Sequence, residues 1–176
     1  MATYVGFLRA INLGAKRKFP KEAIVRATEA AGFGNVATYI NTGNVRFDTT
    51  LRSRARIEAT LEAAYRAEVG FEVPTIVFTT KELREIAERA ATFGHSDRHY
   101  VSLLKDEPSA AAVEAMEAAS TATEVVKVGG RAVHLLYTGR SYGTDATLTN
   151  VQVERLLGVA TNRNLTVVSA LAEKWC

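Results

Sequence analysis

The feature that most constrains this chain is the order in which strand-like and helix-like patterns follow one another. Residues 3–11 and 73–78 are rich in β-branched and aromatic side chains, which favour buried strands. Residues 23–31 and 57–65 instead repeat apolar side chains at helical spacing. Two further β-rich runs flank a Gly/Asn turn at residues 41–44, which predicts a hairpin. The first half therefore predicts the order strand, helix, strand, strand, helix, strand.

The second half repeats most of this order. Residues 100–104 favour a strand, and Pro108 sits where a helix begins, because the first helical position needs no backbone N–H. A second hairpin is predicted at the turn Gly129-Gly130. Another helix follows, and a short turn at residues 162–164 then leads into a terminal helix.

Two ferredoxin-like subdomains of the βαββαβ type, packed together in an α+β fold, are the simplest architecture with this element order. We expect an N-terminal subdomain at residues 1–79 and a C-terminal subdomain at residues 99–176. Residues 80–98 are predicted to connect them as a helix and a loop. The capping pattern Thr79-x-x-Glu82 marks the start of that connecting helix.

Composition excludes several classes of protein. The 176 residues are 47% hydrophobic and 23% charged, as in ordinary globular proteins, and no apolar run approaches the length of a membrane span. Cys176 is the one cysteine, so no intrachain disulfide and no cysteine-based metal site can form. Hydrolase, zinc-protease, phosphate-loop and dinucleotide motifs are absent. We therefore expect a cytoplasmic protein without membrane contact, cofactor or metal.

The positive charge of the chain is concentrated near its N-terminus. Residues 1–50 carry seven Lys or Arg against three Asp or Glu, and the excess centres on Lys16, Arg17 and Lys18. Three adjacent cations on a loop attract phosphate or an acidic partner through a field that salt screens. The alternative is a solvated loop that contributes solubility.

The first candidate site lies where the first strand ends. The guanidinium of Arg9 can form paired hydrogen bonds with a phosphate or a carboxylate, and Lys16 adds a point charge. Asn12 either fixes the loop or hydrogen-bonds to a polar edge of a ligand. Loops at strand ends often hold functional groups on a rigid scaffold. The structural alternative pairs Arg9 with an acidic neighbour and uses Asn12 to support a left-handed turn.

Two further groups complete the predicted ligand-binding set. Thr42 and Asn44 occupy the hairpin turn, where they serve the turn itself or form a polar pocket with the loop of Arg9. Arg140, Ser141 and Arg163 precede predicted helices, whose N-terminal ends favour anions. For Arg163, the alternative is that its neighbouring asparagines simply cap the last helix.

The histidines give a weaker signal. His95-x-x-x-His99 has a spacing that suits zinc on a helix, but Gly94 and Asp97 disfavour a helix there, and no third ligand is evident. We interpret both as surface-loop residues. His134 lies inside a predicted strand, where it is expected to fill space between strands.

Several of these segments resemble a known family. Leu-Arg-Ala-Ile-Asn-Leu-Gly at residues 8–14, Thr-Tyr-Ile-Asn-Thr-Gly-Asn-Val at residues 38–45 and Leu-Thr-Asn at residues 148–150 are similar, in the same order, to segments of a bacterial family catalogued as domain of unknown function 1697. The resemblance implies two ferredoxin-like subdomains and no established activity. Ala10 and Ala15 replace glycines of the family pattern, which predicts a less permissive loop.

Three functions from different classes follow from these observations. The first is recognition of an anionic ligand, either a nucleotide or a nucleic-acid phosphate, by the basic loops. The second is an enzyme acting on a small anionic metabolite, although no general acid or base stands out. The third is a structural or partner-binding module, with the chain either monomeric or paired as a homodimer along an exposed sheet edge.

Overall fold

A computed structural model of the chain describes residues 1–139 and 145–176. The described residues divide into two units. Unit 1 comprises Met1–Leu83 with Trp175–Cys176, and unit 2 comprises Arg84–Lys174. Helix α3 (Thr80–Thr92) starts directly after the last strand of unit 1 and continues into the sequence of unit 2.

Unit 1 is an antiparallel sheet with two helices inserted along the chain. The sheet order is β2-β3-β1-β4, so the first strand lies between the third and the fourth. Gly6 marks the register, since it is paired with Val45 on one side and Val77 on the other. The elements are β1 (Ala2–Leu8), α1 (Lys21–Ala30), β2 (Gly34–Thr38), β3 (Asn44–Thr49), α2 (Arg54–Val69) and β4 (Thr75–Thr79).

The core of unit 1 is aromatic and aliphatic. The ring of Phe47 lies between those of Tyr4 and Phe33, and Phe19 meets Tyr65 edge to face at 5.2 Å. Helix α2 is capped by Ser53, whose hydroxyl accepts from the N–H of Arg56. The two helices thereby cover one face of the sheet with a continuous apolar layer.

The outer edge of β4 is closed by side chains. A free strand edge is a template for pairing with another chain, because it presents unpaired N–H groups. Here three glutamate carboxylates accept the outward N–H groups of the strand at 2.7–3.0 Å. The pairs are Glu62 with Thr75, Glu58 with Val77, and Glu82 with Thr79.

Unit 2 has the same topology. Its sheet order, β6-β7-β5-β8, matches that of unit 1 strand for strand. The Thr149 and Gln152 side chains form a capping box at the start of α5. The elements are β5 (His99–Leu104), α4 (Ala110–Ala118), β6 (Glu124–Gly129), β7 (Ala132–Tyr137), α5 (Asn150–Leu157), β8 (Ala160–Asn164) and α6 (Leu165–Trp175).

One sequence-based expectation for unit 2 is wrong. Residues 162–164 were expected to form a turn, but they belong to β8, which pairs antiparallel with β5. Polar Asn and Arg residues disfavour a strand when read locally, and the pairing with β5 overrides that preference. The extra strand completes the second βαββαβ unit.

The predicted α+β class and the βαββαβ order are both confirmed. In each sheet the second strand of the hairpin pairs with the first strand of the unit, as in ferredoxin-like folds. Strand β3 pairs with β1 in unit 1, and β7 pairs with β5 in unit 2. None of the described helices has the length and apolar character needed to cross a membrane.

Candidate functional site

The loop after β1 and the β2–β3 turn meet in unit 1, and Asn12 joins them. Its Nδ2 donates to the carbonyl oxygens of Asn41 at 2.9 Å and Phe19 at 3.0 Å. Its Oδ1 accepts from the N–H of Phe19 at 2.8 Å. Both the nitrogen and the oxygen of the Asn12 side-chain amide are therefore hydrogen-bonded to the loop or the turn. Of the two roles predicted for Asn12, the structure shows the one in which it fixes the loop.

The turn packs directly over the end of β1. The N–H of Leu8 donates to the carbonyl of Gly43 at 2.8 Å, and Gly43 has a φ of +79°. A Cβ at this position would lie 2.8 Å from Leu8 Cβ and 2.9 Å from Ile11 Cδ1. Glycine is therefore required here both for its backbone conformation and for the close approach of the two segments.

Thr42 and Asn44 stabilise this turn. Asn44 is fully buried, and its Nδ2 donates to the Tyr39 carbonyl at 3.0 Å and to the Thr42 hydroxyl at 2.8 Å. These contacts match the turn-supporting alternative for both residues. The turn and the loop do converge, as the pocket hypothesis requires, with Asn41 at the point of contact.

Strained backbone is concentrated around this junction. Four non-glycine residues have left-handed φ angles: Ala10 at 56°, Asn12 at 54°, Arg17 at 54° and Ile40 at 50°. Only Asn35 shares this property elsewhere in residues 1–139 and 145–176. Each such residue costs on the order of 1–3 kcal/mol, and such strain clusters at functional sites. Ala10 adopts the glycine-like conformation in spite of its Cβ.

The three adjacent cations of the loop have different roles. Arg17 acts as a clamp: its Nε donates to the Ala10 carbonyl at 2.5 Å and its Nη2 to the Glu72 carbonyl at 2.6 Å. Its guanidinium also lies over the ring of Phe71, 4.5 Å from the centroid. Lys16 and Lys18 are exposed. The charge that can meet a ligand is therefore that of the two lysines.

A cleft of about 440 Å³ opens beside the junction and is lined by Asn12, Lys18, Pro20 and Asn41. Pro20 is the N-cap of α1 and makes no side-chain cap hydrogen bond. The positive end of the α1 dipole and the Lys18 side chain therefore both border the cleft. Arg9 is half-buried at the end of β1, where its N–H donates to the Pro74 carbonyl at 2.9 Å.

The remaining predicted ligand residues belong to unit 2. Arg163 is 7% exposed on β8, and its Nη1 donates to the Thr161 hydroxyl at 2.9 Å and the Asn162 carbonyl at 2.8 Å. Burial lowers the pKa of its guanidinium to about 10. The alternative cap is present, since Asn164 Oδ1 accepts from the N–H of Thr166. Arg140 and Ser141 lie outside the described residues.

Of the three histidines, His99 differs from expectation, whereas His95 lies in a loop and His134 in a strand, as expected. His99 is a buried strand residue rather than a loop residue, and its Nε2 lies 2.9 Å from Nδ1 of His134. The strand register creates this contact, because β5 and β7 pair Val101 with His134 and His99 with Leu136. Only the register could have revealed it. Among residues 1–139 and 145–176, no group of three or more His, Cys, Asp or Glu residues is placed to hold a metal ion.

Comparison with known proteins places the chain in a family. A family model described as "Protein of unknown function (DUF1697)" matches residues 1–134. The solved structure of conserved bacterial protein SP0830 from Streptococcus pneumoniae superposes with a TM-score of 0.77 at 20% sequence identity, covering 98% of this chain and 97% of that chain. No curated protein matches the sequence. The shared architecture and the extent of the family match show that this chain belongs to the DUF1697 family.

Proposed function

We propose that unit 1 binds a phosphate-bearing anion, such as a nucleotide or a nucleic-acid phosphate, in the cleft between the β1–α1 loop and the β2–β3 turn. The observation that carries this proposal is the clustering of left-handed non-glycine residues around a cleft that Lys18 lines. Strained backbone persists where the surrounding structure holds it, and ligand sites are a common reason for keeping it.

The local charge favours an anion. Lys16 and Lys18 are exposed, and the N-terminal end of α1 contributes a positive partial charge. The one acidic residue in the first turn of that helix is Glu22. A phosphate bound in the cleft would therefore give up contacts with water and gain contacts with the Lys18 ammonium and the positive end of α1.

Binding is favoured over catalysis at this cleft. The four described residues that line it include no carboxylate, imidazole or thiol. General acid–base or nucleophilic chemistry most often uses such a group within hydrogen-bond reach of the substrate, and among these four residues only Lys18 has a side chain of the basic or nucleophilic kind. The arrangement therefore supports recognition of an anion more strongly than its conversion.

The partner-module alternative has less support at β4 and at β6, one outer strand of each sheet. Pairing of two copies along a sheet needs an edge with free N–H groups, whereas the outward N–H groups of β4 are bound by glutamates. On β6, the N–H groups of Val126 and Val128 are likewise bound, by the side chains of Ser120 and Glu117.

We also infer a cytoplasmic setting, because the chain's one cysteine leaves no intrachain disulfide for an oxidising compartment to maintain.

The test is calorimetric titration with ATP and with a short single-stranded DNA at low and at moderate salt. Replacement of the cleft ammonium, Lys18→Gln, should weaken binding about tenfold, in line with one charge-assisted hydrogen bond. The matched control is Lys127→Gln, which removes another exposed cation, from β6 of unit 2. Equal affinity for wild type and both variants, or affinity independent of salt, would contradict the proposal.

A further inference from the structure

The N-terminal end of helix α2 concentrates positive charge. Arg52, Arg54 and Arg56 alternate along the approach to the helix and its first turn, and that turn contains no acidic residue. The backbone N–H groups at a helix N-terminus already carry a positive partial charge, so arginines are electrostatically unfavourable there without an anion. The chain therefore places three cations where the helix dipole opposes them.

A pocket of about 250 Å³ opens beside this helix end. Its lining comes from β1, from β4 and from the N-terminal ends of α2 and α3, all within unit 1. The lining residues are Tyr4, Arg52, Arg54, Val77, Thr79 and Glu82. The positive ends of two helix dipoles therefore border the same pocket.

Tyr4 supplies an unpartnered hydroxyl to this pocket. The residue is only 7% exposed, and its ring is stacked on that of Phe47 with 6.1 Å between centroids, which holds the ring in place. Its hydroxyl makes no hydrogen bond with any other described residue. Among the described residues, the unpartnered polar side-chain atoms that are sealed from solvent both belong to histidines. The Tyr4 hydroxyl is therefore open to solvent and available to a ligand.

The two arginines of the lining differ in their contacts. Arg54 Nη1 lies 3.4 Å from Glu58 Oε1, so this guanidinium is ion-paired within its own helix. Arg52 is exposed, and its side chain has no hydrogen bond or ion pair with any other described residue. A guanidinium forms paired, charge-assisted hydrogen bonds with an oxyanion. Arg52 is therefore the side chain best placed to bind an anion here.

The carboxylate of the lining acts mainly on α3. Glu82 Oε2 accepts the N–H of Thr79 at 2.7 Å and its hydroxyl at 2.9 Å, which caps α3 and offsets the positive end of that helix. The positive end of α2 has no acidic residue of its own to offset it. In the lining, two arginines also outnumber the one glutamate. The pocket as a whole therefore favours an anion.

The size of the pocket limits what it can hold. Small-molecule sites typically have volumes of about 300–1,000 Å³, so a pocket of about 250 Å³ suits one charged group. A phosphoryl group has several oxygens that share its negative charge. It can therefore accept hydrogen bonds from a guanidinium and from a hydroxyl at the same time.

We propose that this pocket binds the phosphoryl group of free phosphate or of a small phosphate monoester, with Arg52 and the Tyr4 hydroxyl as its hydrogen-bond donors. The pocket shares no lining residue with the cleft proposed above. It is a second anion site of unit 1, and its existence does not depend on the first.

The test is an NMR titration of the full chain, labelled with ¹³C at tyrosine Cζ, with sodium phosphate and with glycerol 3-phosphate at constant ionic strength. The signal that is missing from Tyr4→Phe belongs to Tyr4. We expect it to shift saturably, because the Cζ shift responds to hydrogen bonding of the hydroxyl. The compound that binds more tightly shows whether free phosphate or an ester is the source of the phosphoryl group.

Three variants test the assigned donors. Arg52→Gln should weaken binding about tenfold, because it removes a charge-assisted contact. Arg56→Gln removes an exposed arginine from the same helix end but outside the lining, and as the matched control it should leave the affinity unchanged. Tyr4→Phe keeps the ring, so its denaturation midpoint should match that of the wild type. In a Lys18→Gln background, calorimetry should show that Tyr4→Phe weakens phosphate binding about fivefold or more.

The absence of a saturable Tyr4 shift with both compounds would overturn the proposal. It would also be overturned if Arg52→Gln bound as tightly as the wild type, or if Arg52→Gln and Arg56→Gln lost affinity equally. Sodium acetate that bound as tightly as phosphate would refute the phosphoryl assignment. Lys18→Gln alone should leave the Tyr4 titration unchanged, so failure of this pocket and failure of the proposed cleft are observed separately.

Discussion

The two units share one strand order but differ in the connection between their first strand and first helix. In unit 1, residues 9–20 form a long loop that contains three left-handed non-glycine residues and exposed lysines. In unit 2, residues 105–109 make the same connection without a left-handed residue. Because the shorter connection satisfies the same topology, the length and strain of the longer one are not needed for folding, which favours a functional role.

The two units also differ in the polarity of the side chains that they bury. Unit 1 buries Tyr4, Phe33 and Phe47 in ring contacts, whereas unit 2 buries the pair His99–His134, whose outer nitrogens have no hydrogen-bond partner in the part of the chain that the structure describes. Unpaired buried polar atoms reduce stability, so each of them in a native protein calls for an explanation. The same fold thus concentrates polar chemistry on a loop in one unit and on the sheet in the other.

The largest expected effect concerns acid stability. Both buried histidines have folded pKa values below the usual 6.5, so as the pH falls below 6.5 the unfolded chain binds protons first. Unit 2 should lose on the order of 3–6 kcal/mol between pH 6.5 and pH 4. Urea unfolding at a series of pH values, with histidine NMR signals as the probe of unit 2, measures this loss.

The control for acid stability is the double variant His99→Phe with His134→Leu, which keeps all carboxylates. Its unfolding free energy should depend less steeply on pH over the same range. If the unfolding free energy of the variant and of the wild type fell equally steeply with pH, the histidine pair would not be the source of the acid sensitivity of unit 2. His95 and Arg89 are the other charged or titratable groups that act on the pair.

The next effect compares the equivalent hairpin turns. Gly43 and Gly130 both have positive φ, but a Cβ would clash only at Gly43, with nothing within 4 Å of Gly130. Gly43→Ala should therefore cost about 2–4 kcal/mol and Gly130→Ala about 1 kcal/mol. Chemical denaturation of both variants measures the difference. Equal losses would mean that the close approach of the turn to β1 is not tight.

The smallest effect concerns the strain in the loop. Ala10 has a left-handed φ of 56°, so Ala10→Gly should stabilise unit 1 by about 1 kcal/mol. Ala15 lacks a left-handed φ, and Ala15→Gly should be neutral or slightly destabilising because glycine adds unfolded-state entropy. Denaturant midpoints distinguish the two. If both substitutions had the same sign, the strain assigned to Ala10 would be refuted.

Features that depend on neighbouring residues were predictable. The cap at Thr79 appears where the sequence pattern Thr79-x-x-Glu82 places it, since the pattern joins groups three residues apart. A polar pocket at the loop of Arg9 requires residues 41–44 to lie against that loop. The Asn12–Asn41 hydrogen bond shows that the two segments do meet. Strand β8 was missed because its polar residues become a strand through pairing with β5.

The sequence by itself determined the element order of unit 1, the helix cap at Thr79, the turn glycines and the excess of positive charge near the N-terminus, because these depend on short-range geometry and composition. The tertiary structure alone decided that Arg17 clamps the loop, that Arg163 is buried and that His99 meets His134. Such contacts join residues distant in sequence, and strand register, which alternates the side chains between the faces of a sheet, selects which of them meet.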